Sequence, residues 1–344
     1  MISKEFDYTQ GPPFSEETRH IEITPEQKAF GLATNRIYEQ RFKRSTPWMV
    51  KDGRILYFRP VQVRPNEDPL VIETERDIKR YGVITVDEIS GEDLAKEQIS
   101  NDLADVLRIF KRVEDNLPDF SKSALRAFRN VKGVNRSYHQ WSNEEAEHSN
   151  AAGLILVATG HNTQEELDED YYRTQEQEWN LPFKEPIEVL IYAMFQEKNT
   201  SWNYHAVAKK LEDQGALKAA HVTRIIASDE SFHGAGFNHY VDAWAKLHPK
   251  EAEEAALHVA WNFRMPSLHL MRHRLRDTVR VMKTIGYNQE QVETLLRRGL
   301  ADLKFVNPDR AEEVVKGYWA AETARQSKII MRIPTRGNLS KNGA

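Results

Sequence analysis

The stretch EPIEVLIYAMFQEKNTSWNYH, residues 185–205, puts a carboxylate where an apolar side chain belongs. Leu190, Met194, Glu197, Tyr204, Ala208 and Leu211 follow one another at helical spacing, so they share one face of a helix predicted over 185–214. An isolated carboxylate on a buried face costs several kcal/mol unless something pairs with it. Glu197 therefore needs partners from elsewhere in the chain.

Three other predicted helices supply them. In 90–116 the inward stripe runs Leu103, Val106, Leu107, Phe110 and then Glu114. In 136–160 one face carries Glu145, His148, Ala152 and Ile155, and in 216–247 it carries Val222, Ile226, Glu230, His233, Phe237 and Tyr240. A step of three places both side chains of each Glu-x-x-His on one face, about 5–6 Å apart at Cβ. Taken singly these signals are weak. About two acid-x-x-His pairs arise by chance at this composition, and Glu17-x-x-His20 in the polar N-terminal arm is read as surface. Jointly they form an ordered series: a lone Glu, a Glu-x-x-His, a lone Glu, a second Glu-x-x-His. That series is the donor set of ferritin-like di-iron and di-manganese carboxylate bundles. Buried carboxylates repel one another, and two divalent ions supply the compensating charge. Oxygen and imidazole donors suit iron, with manganese the alternative. The predicted metal ligands are Glu114, Glu145, His148, Glu197, Glu230 and His233.

The rest of the sequence fits this reading. From Ser90 onward it reads as successive helices, further ones spanning 121–132, 163–177, 250–262, 266–285, 288–302 and 308–331, with Pro and Gly between them. Residues 24–45 also read as a helix, and the proline-broken run 54–77 as a short hairpin or irregular insertion. The expected class is all-α: a ferritin-like helical bundle with a di-metal core and extra C-terminal helices over 90–331. An irregular N-terminal extension precedes it (1–89), and a loose tail follows (332–344). Among 344 residues there is no cysteine, which excludes thiolate catalysis and Cys-ligated metal sites. A net charge of -4 from 48 basic and 52 acidic residues argues against nucleic-acid binding. No signal-peptide core and no apolar run of membrane length is present. The expectation is a soluble, cytoplasmic protein with no membrane association.

Five stretches carry a family resemblance: VEDNLP (113–118), WSNEEAEH (141–148), FQEKNT (195–200), IIASDESFH (225–233) and FRMP (263–266). In order and spacing the chain resembles the soluble acyl-[acyl-carrier-protein] desaturases, the fatty acid desaturase type 2 family, over roughly residues 100–300. The resemblance implies the six metal ligands named above. It also implies Thr200 beside the oxygen site and Asp229 as hydrogen-bond partner of a ligand histidine. Trp48 is the candidate for a tryptophan that completes that chain of bonds, but its surroundings do not align and the sequence assigns it no role. Where the family has Asn-Arg and Lys-Arg between the paired ligands, this chain has Ala146-Glu147 and Ser231-Phe232. Those positions are expected to point away from the metals.

The implied reaction is O2-dependent desaturation of an acyl chain on acyl carrier protein, with electrons from a ferredoxin-type donor, in a homodimer. An acyl channel would draw on Met194, Phe195, Trp202, Phe232 and Phe237. Basic clusters at 271–283 (Arg272, Arg274, Arg276, Arg280, Lys283) and 35–44 are candidates to meet the acidic carrier. The rival readings are a di-iron oxygenase or oxidase that hydroxylates or oxidises a heteroatom, iron storage, and a radical-generating subunit using Tyr204 or Tyr240.

Overall fold

The computed structural model describes residues 25–42, 48–61, 83–265, 275–318 and 320. Glu17, His20, Thr24, most of the expected insertion, Arg272, Arg274 and the C-terminal tail lie outside them. After α1 (Pro25–Ile37) a π-helical turn runs Tyr38–Phe42. Three antiparallel strands follow in the order β1 (Trp48–Lys51), β2 (Arg54–Val61) and β3 (Val83–Ser90). The sequence reading had no strand before Arg54. The hairpin instead turns at Asp52-Gly53, both at positive φ (51° and 70°), which is the backbone that an Asp-Gly hairpin turn requires. β2 then pairs with β3 from Arg54↔Ser90 to Val61↔Val83.

The helices are α2 (Gly91–Leu94), α3 (Asn101–Asp115), α4 (Leu117–Ala127), α5 (Lys132–Ala158), α6 (Gln164–Gln175), α7 (Pro186–Asp213), α8 (Leu217–Ala245), α9 (Pro249–Asn262), α10 (Leu275–Lys283) and α11 (Gln289–Asp302). A final helix, α12, covers 308–318. The single helix expected over 90–116 is two, because two serines cap separately. Ser90 accepts from Asp93 N at 3.1 Å, and Ser100 accepts from Leu103 N at 3.4 Å. α4 starts four residues earlier than expected because Pro118 sits in its first turn, where a missing N–H costs nothing.

The pair α7–α8 forms the spine. Small residues let it pack closely: Ser201 Oγ donates to Ala227 O at 2.8 Å and lies 2.7 Å from Ser231 Oγ. A Cβ on Gly234 would come within 3.3 Å of Glu197 Cβ. α5 and α3 complete the four-helix core. One apolar cluster gathers Phe42, Tyr138, Trp141, Tyr192, Met194 and Phe237 at one end. A second gathers Trp48, Leu103, Leu107, Tyr204, Val222 and Ile226 at the other. Among the described residues no helix is long and apolar enough to cross a membrane.

Candidate metal centre

The helix faces that supply both apolar clusters carry a polar layer between them. Along α5, Trp141 belongs to one cluster and Ile155 to the other, and Glu145 and His148 fall between. α7 repeats the pattern with Met194, Glu197 and Tyr204, and α8 repeats it in reverse with Ile226, Glu230, His233 and Phe237. Glu114 enters from the last turn of α3. All six predicted donors are buried, none more than 5% exposed.

They converge as two groups: Glu114, Glu145, His148 and Glu230, and Glu145, Glu197, Glu230 and His233, the donor atoms of each lying within 4.8 Å of one another. Glu145 and Glu230 belong to both. Glu114 and His148 close one end, and Glu197 and His233 close the other.

The supporting contacts repeat across the centre. Asp229 precedes Glu230 on α8 but faces the histidine of α5, with Oδ2 3.6 Å from His148 Nε2. Glu144 precedes Glu145 on α5 and faces the histidine of α8, with Oε2 2.7 Å from His233 Nε2. Glu144 thus holds the outer nitrogen of His233, while Asp229 stands beside that of His148 beyond hydrogen-bond distance, and each Nδ1 faces the carboxylates: His148 Nδ1 lies 3.1 Å from Glu230, and His233 Nδ1 lies 3.1 Å from Glu145 and 3.2 Å from Glu197. An aromatic ring covers each imidazole. Trp48 stacks on His148 with centroids 5.8 Å apart and planes 8° apart, and its indole N–H donates to Asp229 at 2.5 Å. Phe42 stacks on His233 at 6.2 Å and 14°. The end carboxylates are steadied by buried donors: Tyr204 OH donates to Glu114 at 2.9 Å, and Trp141 Nε1 donates to Glu197 at 3.2 Å.

Sequence reasoning missed Glu144 and Phe42 and left Trp48 without a role. The signal for Glu144 was an acid directly before each Glu-x-x-His, as Asp229 stands before Glu230. No periodic signal points to Phe42 or Trp48, which come from a turn and a short strand. Thr200 is buried, and its hydroxyl donates to the Gln196 carbonyl at 3.0 Å; it belongs to neither donor group. Ala146 and Ser231 are exposed, as expected of positions facing away from the centre. Glu147 instead accepts from Val50 N at 2.8 Å and ties β1 to α5.

Electrostatics describe a cluster whose buried carboxylates are balanced by protons on Glu114, Glu197 and the two histidines. Burial, then repulsion from Glu145 and Glu230, holds the Glu114 carboxyl well above its usual range. Burial and the same two neighbours do so for Glu197. Burial alone would lower both histidines, but their carboxylate partners outweigh it and raise them. Burial likewise opposes ionisation of Glu145, and the two imidazoles overcome it and lower its carboxyl. Protons thus stand where positive charge is needed.

The residues fit a pair of divalent ions. Glu145 Oε1, Glu230 Oε1 and His148 Nδ1 are buried and have no hydrogen-bond partner among the described residues, although they face one another. Buried donor atoms that converge in this way could hold an ion between them. Carboxylate and imidazole donors match iron or manganese.

The family model described as fatty acid desaturase matches residues 85–294. The match covers more than half of the chain and takes in all six donors, Glu144 and Asp229, but not Phe42 or Trp48. A search of curated proteins found no match. The chain belongs to the fatty acid desaturase family, which makes it an oxidoreductase by membership.

Proposed function

We propose that this fatty acid desaturase family member is an O2-dependent di-iron desaturase. It would introduce a double bond into an acyl chain carried on acyl carrier protein, with electrons from a ferredoxin-type donor. The observation that carries the reading is the pair of donor groups that share Glu145 and Glu230 in a buried helical core. When bound there, two iron ions supply the reduction of dioxygen to water coupled to removal of two hydrogens from adjacent saturated carbons.

This chain's residues hold and shield that chemistry. Glu145 and Glu230 would serve both ions, while Glu114 with His148 and Glu197 with His233 would hold one each. Glu144, bonded to His233 Nε2, would fix that imidazole's tautomer so that Nδ1 is free to hold an ion, and Asp229 would do the same for His148 once it closes to hydrogen-bond distance. Tyr204 and Trp141 keep one oxygen of Glu114 and of Glu197 engaged and so set how each carboxylate turns. Thr200, one turn beyond Gln196, would offer its hydroxyl as a hydrogen-bond donor beside the centre once it leaves the Gln196 carbonyl. The two apolar clusters exclude water from either side. Arg36, Arg41, Arg280 and Lys283 are exposed basic groups for the acidic carrier. A homodimer completes the proposal, to be read by sedimentation.

The test uses the reduced, iron-loaded protein with a ferredoxin-type donor, oxygen and a panel of acyl-carrier thioesters, followed by mass spectrometry. Loss of two hydrogens from the acyl chain is expected. Gain of one oxygen would make the protein a hydroxylase, and turnover of free acids alone would remove the carrier from the account.

A further inference from the structure

The residues that follow two of the donors are bonded to each other. Asp115 follows Glu114 at the end of α3, and Ser149 follows His148 on α5. The Ser149 hydroxyl donates to Asp115 Oδ1 at 2.5 Å. Lys111, one turn back along α3, donates to both Asp115 oxygens, at 3.0 and 2.8 Å, and to Ser149 Oγ at 3.3 Å. The Lys111 and Asp115 side chains are 11% and 5% exposed, and Ser149 is buried. Gly153, one turn beyond Ser149, makes room for the lysine stem: a Cβ there would lie 3.4 Å from Lys111 Cε. Gln175, at the end of α6, donates to the Asp115 carbonyl at 2.6 Å.

Stability alone does not account for this group. An acid in the last turn of a helix opposes the helix dipole. A buried ion pair adds little net stability, because both partners lose their water. Placement accounts for it better, since the group joins α3 to α5 at the level of Glu114 and His148. The other end of the centre is built differently. There Lys198 follows Glu197 and Gly234 follows His233. Glycine has no side chain to bond, and a Cβ on it would lie 3.3 Å from Glu197 Cβ. Lys198 instead reaches Asp302 of α11 at 2.5 Å. One end is therefore set by close backbone packing and the other by hydrogen bonds.

We propose that Lys111, Asp115 and Ser149 are positioning residues that hold Glu114 and His148 at the separation one ion needs, so that ion binding at this end alone depends on them. Lys111 balances the Asp115 charge, so the group adds no net charge beside Glu114. The inference rests on the two-ion reading of the centre and is independent of the reaction.

Ser149→Ala breaks the bond between the helices and leaves the Lys111–Asp115 pair in place. Ferrous ion is titrated anaerobically into the full chain against a competing chelator. Crystals prepared at limiting iron assign the two binding steps to the two ends by their anomalous peaks. Ser149→Ala should weaken the ion at the Glu114–His148 end by about tenfold and leave the Glu197–His233 end at wild-type affinity. Ser149→Thr keeps the hydroxyl and should restore the wild-type value. Asp115→Asn, which weakens the same bond, is read in the same way if Ser149→Ala does not fold. A lowered melting temperature of the metal-free variant with both ions at wild-type affinity would make the group structural only and overturn the proposal. Equal weakening of both ends would also overturn it. Wild type that binds fewer than two ions would remove the two-ion reading, and the positioning role with it.

Discussion

Glu144→Ala should weaken the ion at the His233 end by about 100-fold, and Glu144→Gln by about tenfold. Glu144 Oε2 sits 2.7 Å from His233 Nε2, with both side chains essentially inaccessible to water. A short bond between an imidazole N–H and a carboxylate in such a place fixes the tautomer and makes Nδ1 a stronger donor. Glutamine keeps an acceptor at that point and removes the charge. Alanine removes both and leaves a buried N–H unpaired. The two losses correspond to about 1.4 and about 2.8 kcal/mol of binding. The His148 end has its own acid, Asp229, so its ion should hold at near wild-type affinity. Anaerobic ferrous titration against a competing chelator, resolved into two binding steps, measures both ends. Asn143→Ala, at the exposed neighbour of Glu144, is the control. Wild-type affinity at both steps in Glu144→Ala, or equal weakening of both, would refute the reasoning.

Other perturbations probe the surroundings. A Cβ on Gly236 would sit 2.3 Å from Phe42 Cδ2 and 2.5 Å from Cε2, so Gly236→Ala should push that ring off His233 and cost about 1–3 kcal/mol in chemical denaturation. Removing the ring with Phe42→Ala removes the clash, so the two changes should combine to less than their sum, and strict additivity would contradict the packing described. Trp48→Phe keeps a ring near His148 but deletes the N–H to Asp229. It should destabilise the fold by about 1–3 kcal/mol in denaturant titrations and weaken the His148-end ion, the reverse pattern to Glu144. The pH response of the metal-free protein has a definite sign. Glu114 and Glu197, raised in the fold, contribute stability below their unfolded values that is lost as pH climbs toward their folded ones. His148 and His233, also raised, contribute below their unfolded values and lose it as pH rises through the folded ones. The lowered Glu145 works oppositely: its contribution is present above the unfolded carboxylate value and is lost as pH falls from there through its depressed folded one. Metal binding displaces these protons, so the gap in melting temperature between loaded and metal-free protein should widen from about pH 6 to 9. A constant or shrinking gap would contradict this.

The donors were legible because helical periodicity is a strong signal and a carboxylate on an apolar stripe violates it. Glu114, Glu145, Glu197 and Glu230 each interrupt such a stripe, and burial makes the interruption meaningful. Glu144 was not legible because it lies about 100° around α5 from Glu145, where an acid ordinarily meets water. Its partner stands 89 residues away on α8, a distance that no local pattern spans. Trp48 and Phe42 were opaque for a related reason: a four-residue strand and a π-helical turn have too little periodicity to show which side faces inward. The Asp52-Gly53 turn was visible in sequence, but the strand before it is short and the proline-rich stretch after it drew the hairpin too far along the chain. Thr200 shows the limit of resemblance. Its position follows the family, while its hydroxyl bonds to its own helix.

The central claim is that Glu145 and Glu230 hold two ions in common. Anomalous-scattering crystallography of the anaerobically iron-loaded protein tests it most directly. The account predicts two iron peaks per chain, both touched by Glu145 and Glu230, with His148 at one and His233 at the other. A single peak, or iron bound away from these side chains, would contradict it.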